Sequence, residues 1–394
     1  MRHTKHAGGF GRRSLTRSLL QSAAKTLVRQ RLDAAMDDDC VKLSVYVAER
    51  RRTEGGFVSD VLLNLYEQHR IASSVVLRGI GGYGTGRHLR TDESLTLSED
   101  PPLVLEAVDT RAKIEPLLDP VLGIRQRGLI TLERARLLRG DIAQLELAHE
   151  LHEAVKLTVY VGRKERVYGV PAFIAICDLM YRRGLAGASV LLGVDGTVHG
   201  YRQRAKFFSG NADVPMVVIA IGSGAVIGRV LPELRGLLRR PMITLERVRV
   251  CKRDGQLLER PDALPGNDEN GLPLFQKLMV YTSESARRNR VPIHRGLIRE
   301  LGKRKAPDGA TALRGIWGFQ GDHQPHGDSV FSLSRRDPTL VVIIDTPANI
   351  AESFGVVDEL TRDGGLVTSE MVPALVSDVA DGGNCGPPMA NHDY

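Results

Sequence analysis

Apolar and polar residues alternate one for one over 41–47, with Val41, Leu43, Val45 and Val47 on one side and Lys42, Ser44 and Tyr46 on the other. That period of two predicts a half-buried strand. Gly55 and Gly56 break the pattern. Phe57, Val61, Leu62, Leu65 and Tyr66 then recur at helical spacing, which predicts an amphipathic helix over 57–69. β-Branched residues over 74–80 predict a second strand, and a polar, glycine-rich stretch fills 81–92. Residues 94–98 alternate again, and 102–108 read as an apolar strand. Asp109 and Thr110 mark a helix start, either one serving as N-cap. That helix runs to about Ile124 and Gly128 closes it; a short last strand covers 129–138.

This β-α-β-β-α-β order returns twice. Lys-Leu-x-Val-Tyr occurs at 42–46, 156–160 and 277–281. Leu77-Arg78-Gly79-Ile80 is matched by Leu191-Leu192-Gly193-Val194 and returns as Leu313-Arg314-Gly315-Ile316. Ile130-Thr131-Leu132-Glu133-Arg134 returns as Ile243-Thr244-Leu245-Glu246-Arg247 and, more loosely, as Val367-Thr368-Ser369-Glu370. A period of about 100 residues is too long for a solenoid repeat. Each copy is instead a whole α+β unit of the split βαβ, or ferredoxin-like, kind. Such a unit covers one sheet face with two helices and leaves the other bare. Three copies in one chain can bury three bare faces together, which predicts an intrachain pseudo-trimer and hence a monomeric chain. The expected boundaries are a basic extension over 1–39, units over 40–139, 153–252 and 273–376, and a disordered Gly/Pro/Asn-rich tail over 377–394. The connection 139–154 reads as helix-like and charged, and 252–273 as a linker rich in Gly, Pro and Asp.

Composition narrows the class. Of 394 residues, 42% are hydrophobic and 26% charged, as in soluble globular proteins, while only 5% are aromatic, so the cores must be aliphatic. The net charge of +7 owes much to the first 31 residues, which carry Arg2, Lys5, Arg12, Arg13, Arg17, Lys25, Arg29 and Arg31 and no carboxylate. Such an arm can meet nucleic acid or anionic lipid, or stay solvated; nucleic acid is the minor expectation. Residues 14–36 also show helical periodicity. Four scattered cysteines without a CxxC point to a reducing cytoplasm. No stretch reaches the ~18 apolar residues of a membrane span.

Candidate chemistry gathers after the second strand. Gly79, Gly81, Gly82, Gly84 and Gly86 leave backbone N–H groups accessible, and Arg78, Arg87, His88 and Arg90 add positive charge. Successive N–H groups can nest an anion, and arginine can grip phosphate with two bonds. Copy three offers Arg314, Gly315, Gly318, Gly321, His323 and His326 in the same place. Glycines that merely serve turns would look the same. His88, His199, His323 and His326 could meet around a metal on a threefold axis, though solvated loop histidines are commoner. Asp109 and Asp345 fit helix caps better than ligands. Lys42, Lys156 and Lys277 suit either the polar face of a strand or a charged lining between copies, with Glu133, Glu246 and Glu370 as partners for those or other cations. No nucleophile elbow or paired-histidine zinc motif appears, so a catalyst is not expected.

These motifs resemble the domain-of-unknown-function-190 family, which is related to the PII-like signal proteins. Copy one carries Leu77-Arg78-Gly79-Ile80-Gly81-Gly82-Tyr83-Gly84, then Leu97-Ser98-Glu99-Asp100-Pro101-Pro102, then Gly128-Leu129-Ile130-Thr131-Leu132-Glu133. Copy three carries Leu313-Arg314-Gly315-Ile316-Trp317-Gly318-Phe319, Leu333-Ser334 before Pro338, and Gly365-Leu366-Val367-Thr368-Ser369-Glu370. Copy two departs, with Gly193-Val194-Asp195-Gly196-Thr197-Val198, no aromatic, no second loop glycine at the matching place and no aspartate at the helix start. The resemblance implies three PII-like units with ligand clefts between neighbours. It further implies an adenine nucleotide (AMP, ADP or ATP) or another small anion as ligand, and a loop after strand two that engages a partner protein. Family members often stand beside genes of the fluoride-channel type, which suggests a membrane channel as that partner. The alternatives are a ligand-free adaptor and a metal-binding trimer resembling the divalent-ion-tolerance proteins.

Overall fold

The computed structural model describes residues 36–84, 88–91, 100–124, 128–138, 154–202, 214–261, 264–304, 307, 309–321, 323–327, 337–376 and 389–391. Copy one runs β1 (Met36–Ala48), α1 (Val58–Gln68), β2 (Ser73–Tyr83), β3 (Pro102–Thr110), α2 (Arg111–Gly123) and β4 (Leu129–Leu138). Copy two runs β5 (Val155–Gly162), α3 (Ala172–Arg182), β6 (Gly187–Val198), β7 (Pro215–Gly222), α4 (Gly224–Leu237) and β8 (Met242–Arg247). A connecting strand, β9 (Arg249–Arg253), leads to copy three. That copy runs β10 (Phe275–Ser283), α5 (Ile293–Gly302), β11 (Ala310–Gln320), β12 (Pro338–Asp345), α6 (Pro347–Leu360), β13 (Leu366–Val372) and β14 (Ala374–Val376). The expected β-α-β-β-α-β order is present in all three.

Within each copy the strands lie antiparallel in the order second, third, first, fourth. Two-residue strands form a small hairpin ahead of the first helix of each copy (Arg52 with Phe57, Arg166 with Pro171, Arg287 with Pro292), a feature the sequence pattern does not announce. The helices begin where local chemistry allows. Ser223 caps α4 by accepting from Val226 N, and Thr346 caps α6 by accepting from Asn349 N ahead of Pro347. In copy one the cap position is Thr110. Asp109 and Asp345 sit one residue earlier and accept the next backbone N–H.

The copies join through main-chain pairing that repeats around a pseudo-threefold axis. The first half of each second strand pairs with the second half of the next copy's: Ser73 with Val198, Gly187 with Gln320, Ala310 with Tyr83. The far ends of the fourth strands do the same, with Leu138 opposite Ile243, Arg249 opposite Ser369 and Ala374 opposite Leu132. Apolar residues therefore divide among four cores. Three lie between the helices and sheet of one copy each, as Leu43, Leu62 and Leu117 do in copy one. The fourth takes Val104, Leu137, Tyr160, Val217, Leu313 and Val342 from all three sheets. Each fully buried Val or Leu there contributes about 1.5–3 kcal/mol. The sheet faces left bare by the helices are thus buried against one another.

Several expectations shift. The second strand of copy one continues to Tyr83 instead of ending at 80, because its second half pairs with copy three. Residues 37–39 belong to β1. The stretch from Lys252 is not a loose linker: β9 extends the sheet of copy three, and Lys252 is buried with its ammonium 2.6 Å from Asp358. Part of the tail is ordered too. Ala390 is buried, its N–H donates to Pro373 O, and Arg134 Nη1 donates to Ala390 O at 2.6 Å. The periodic segment 14–36 lies almost wholly outside the described residues, as do the strand expected over 94–98 and the helix-like connection over 139–153.

Candidate functional site

The half-buried alternation of the first strands resolves into two buried faces. Val41, Leu43, Val45 and Val47 pack under the copy's own helices. Lys42, Lys156 and Lys277 point inward to the axis and are almost fully buried. Each stands across the ladder from its own copy's glutamate: Lys42 opposite Glu133, Lys156 opposite Glu246, Lys277 opposite Glu370. Each also reaches the glutamate of another copy. Lys42 is 2.9 Å from Glu133 and 2.6 Å from Glu246; Lys156 is 2.8 Å from Glu246 and 2.5 Å from Glu370; Lys277 is 2.9 Å from Glu370 and closes the circle on Glu133. The result is a closed ring of six alternating charges.

Burial opposes every charge in that ring, and the neighbours override it for most. Lys277, Lys42 and Lys156 hold the Glu133 carboxyl well below the usual range, and Lys156, Lys42 and Lys277 bring Glu246 down to about 2. Glu133 and Glu370 hold the Lys277 ammonium above its ordinary value, as Glu133 and Glu246 do for Lys42. At Lys156 burial wins and the shift is downward. The oxygens of Glu133, Glu246 and Glu370 lie within 4.8 Å of one another, close enough to share a metal, but the three ammonium groups already occupy and neutralise them. A hollow of only about 20 Å³ adjoins the ring. At about one water's volume that hollow is too small for a nucleotide, and the ring acts as a structural clasp.

Open space lies instead where one copy's second strand meets the next. The cleft between copies two and three measures about 440 Å³. Its floor is apolar, with Ile219, Ile221 and Phe319, and its wall carries Ser189, Thr282, Ser283 and Ser285 with His323 and His326 at the mouth. Another cleft, between copies one and two, measures about 360 Å³; it shares only the Ala72/Ala186 and Met242/Leu366 positions with the cleft between copies two and three. It is lined by Arg70, Ala72 and Lys113 of copy one and by His199, Arg239, Arg240, Pro241 and Met242 of copy two. Asp109, fully buried, holds two of these lining residues: it accepts from Ala72 N at 2.8 Å and from Lys113 Nζ at 3.1 Å. Burial and the neighbouring Arg240 hold His199 below its ordinary pKa.

The residues expected to cradle an anion are divided by the structure. Gly79 and Gly315 lie inside strands, where a Cβ would come within 2.6 and 2.8 Å of Pro102 and Pro338. Gly82, Gly196 and Gly318 are where the second strands cross: a Cβ would lie 2.6, 2.1 and 2.3 Å from the carbonyl oxygens of Ala310, Ser74 and Ala188. Copy two keeps the crossing glycine as Gly196, and has Val198 where copy one has Gly84. Gly81 is buried in β2 as well. Gly84 and His88 are exposed, and Gly321 makes a left-handed turn at φ 55°. Gly86 and Arg87 lie outside the described residues. Arg78 pairs with Glu49 at 2.8 Å and Arg314 with Glu284 at 2.7 Å. The loop histidines do not meet on the axis, since His199 stands in one cleft and His323 and His326 in another. Of the residues the sequence singled out, Gly318, His323 and His326 line the second cleft and His199 the first. Arg70, Lys113, Arg239 and Arg240 were missed; their signal was available only by setting the copies side by side.

A family model described as uncharacterized ACR, DUF190, matches the chain three times, over residues 40–137, 154–250 and 275–374. Two proteins of Aquifex aeolicus (strain VF5), each called a UPF0166 protein, are similar at single-copy length. One is 31% identical over 91 residues, which is 23% of this chain and 86% of the relative. The other is 31% identical over 96 residues, 24% of this chain and 94% of the relative.

Proposed function

The chain belongs to the DUF190 family, with three family units in one polypeptide, and from that premise we propose that it is a non-catalytic, PII-like regulator. In this reading each unit is a ferredoxin-like protomer of a covalent trimer. An adenine nucleotide or a similar small anion binds between copies, and the loops following the second strands pass its presence to a partner protein, a membrane channel being the partner the resemblance suggests. The observation that carries the reading is the pair of clefts at successive junctions, about 360 and 440 Å³, both within the size range of small-molecule sites. Each cleft abuts the end of a second strand, so a bound ligand touches the root of the loop that would signal. Among the described residues no helix is long and apolar enough to cross a membrane, which suits a cytoplasmic partner of a channel.

The test is the thermal midpoint of the purified protein with AMP, ADP, ATP, cyclic nucleotides and divalent ions. A ligand that binds only the folded state at a hundred times its Kd stabilises by about 2.7 kcal/mol. A rise with one adenine nucleotide supports the reading. No shift with any of them at millimolar concentration removes it in favour of a ligand-free adaptor.

A further inference from the structure

We propose that the two described clefts take different ligands: the cleft between copies one and two holds a multiply charged phosphate anion, and the cleft between copies two and three does not. The inference rests on the reading above for the existence of a ligand and assigns its class and place. Corresponding positions carry it. The first cleft is lined by Arg70, Lys113, Arg239 and Arg240, the second by no lysine or arginine among the described residues, and the positions matching those four at the second junction are Gly184, Val226, Asp363 and Gly364, which do not line it. Four cations become two glycines, a valine and a carboxylate. The backbone confirms the match, because Arg70 and Gly184 share a left-handed conformation (φ 50° and 74°), as do His199 and Gly321 (φ 52° and 55°). Glycine adopts that conformation freely, whereas an arginine there is strained. Copy one keeps Arg70 despite the strain, at the rim of the cleft.

The cations are also available. Lys113 is partnered by Asp109, but no ion pair to a described carboxylate holds Arg70, Arg239 or Arg240. Three guanidinium groups with no ion pair to a described carboxylate, and the Lys113 ammonium beside Asp109, stand around about 360 Å³, and a single negative charge would offset only part of their repulsion. A di- or triphosphate group matches both the charge and the forked geometry of arginine. Two copies contribute cations, so the anion would also tie copy one to copy two.

Binding of inorganic tripolyphosphate and of ATP to the full chain, measured by calorimetry at fixed salt, tests this. Arg239→Ala and Arg240→Ala lie on an exposed turn and leave the fold intact; each is expected to weaken both probes at least about tenfold, as loss of a charged hydrogen bond does. Arg240→Lys recovers part of the loss, and His323→Ala with Ser285→Ala in the second cleft changes neither probe. Equal affinities for the two probes mean the cleft reads phosphates alone, and tighter ATP means it also reads the base; both agree with the inference. Unchanged affinity in Arg239→Ala and Arg240→Ala, or loss in the second-cleft variants, overturns the assignment while leaving nucleotide binding standing. Binding of neither probe overturns both.

Discussion

The axis and the clefts show opposite histories within one chain. On the axis the three copies keep the same lysine, the same glutamate and the same geometry, while none of the four cations of the cleft between copies one and two recurs at the matching positions of the next junction. The physical difference is connectivity. Every member of the ring touches two others at nearly zero exposure, so a change in one copy strands buried charge in another. A cleft belongs to a single junction and its cations face water, so it can change alone. Joining three units into one chain therefore frees the junctions to specialise while the centre stays threefold.

The ring should give the largest effect. Lys156→Ala or Glu246→Ala removes one partner of a buried network and should cost about 3–5 kcal/mol, read from urea unfolding; a loss under 1 kcal/mol would mean the ring is incidental. Acid should report the same network. The Glu246 carboxyl sits at about 2 in the folded protein against an ordinary 4.5. Its stabilising contribution is thus complete above about pH 4.5 and disappears as the pH falls toward 2. The thermal midpoint should drop through that window, and a flat profile would contradict it.

Crowding at the strand crossings comes next. Gly196→Ala places a methyl 2.1 Å from the Ser74 carbonyl oxygen, and the shift it forces should cost at least about 1–3 kcal/mol. A neutral result would show that the crossing is looser than the geometry indicates.

Arg70→Gly sharpens the contrast between the clefts by giving copy one the residue of copy two. Relief of the left-handed arginine should raise stability by about 1 kcal/mol, while tripolyphosphate binding weakens. Stability and binding moving in the same direction would argue against Arg70 being held there for the cleft. The smallest effect concerns His199, whose folded pKa lies below its ordinary 6.5 through burial and Arg240. A phosphate beside it would raise that value, so binding should take up protons and strengthen a few-fold as the pH falls from about 7.5 to 6. Affinity in His199→Ala should lose this added pH dependence.

Much of the fold was legible because period-two and helical patterns recur three times, and three bare sheet faces need a common burial. The Lys-Glu ring was half legible. Lys42 and Glu133 stood out by recurrence, yet an alternating strand normally turns its polar face to water, and nothing local says that this face meets two others. The loop glycines misled for a related reason. Gly79, Gly82 and Gly315 serve backbone crossings between copies, and a crossing has the same composition as an anion nest. The basic cleft was hidden because Arg70, Lys113 and Arg240 lie on separate elements of two copies, so no window of sequence contains them together.

A crystal structure of the full chain grown with ATP would test the account most directly. It predicts phosphate density against Arg239 and Arg240, spanning to Arg70 and Lys113, with none in the cleft between copies two and three. Phosphate density beside His323 and His326, or at Gly84, with the basic cleft empty, would contradict it.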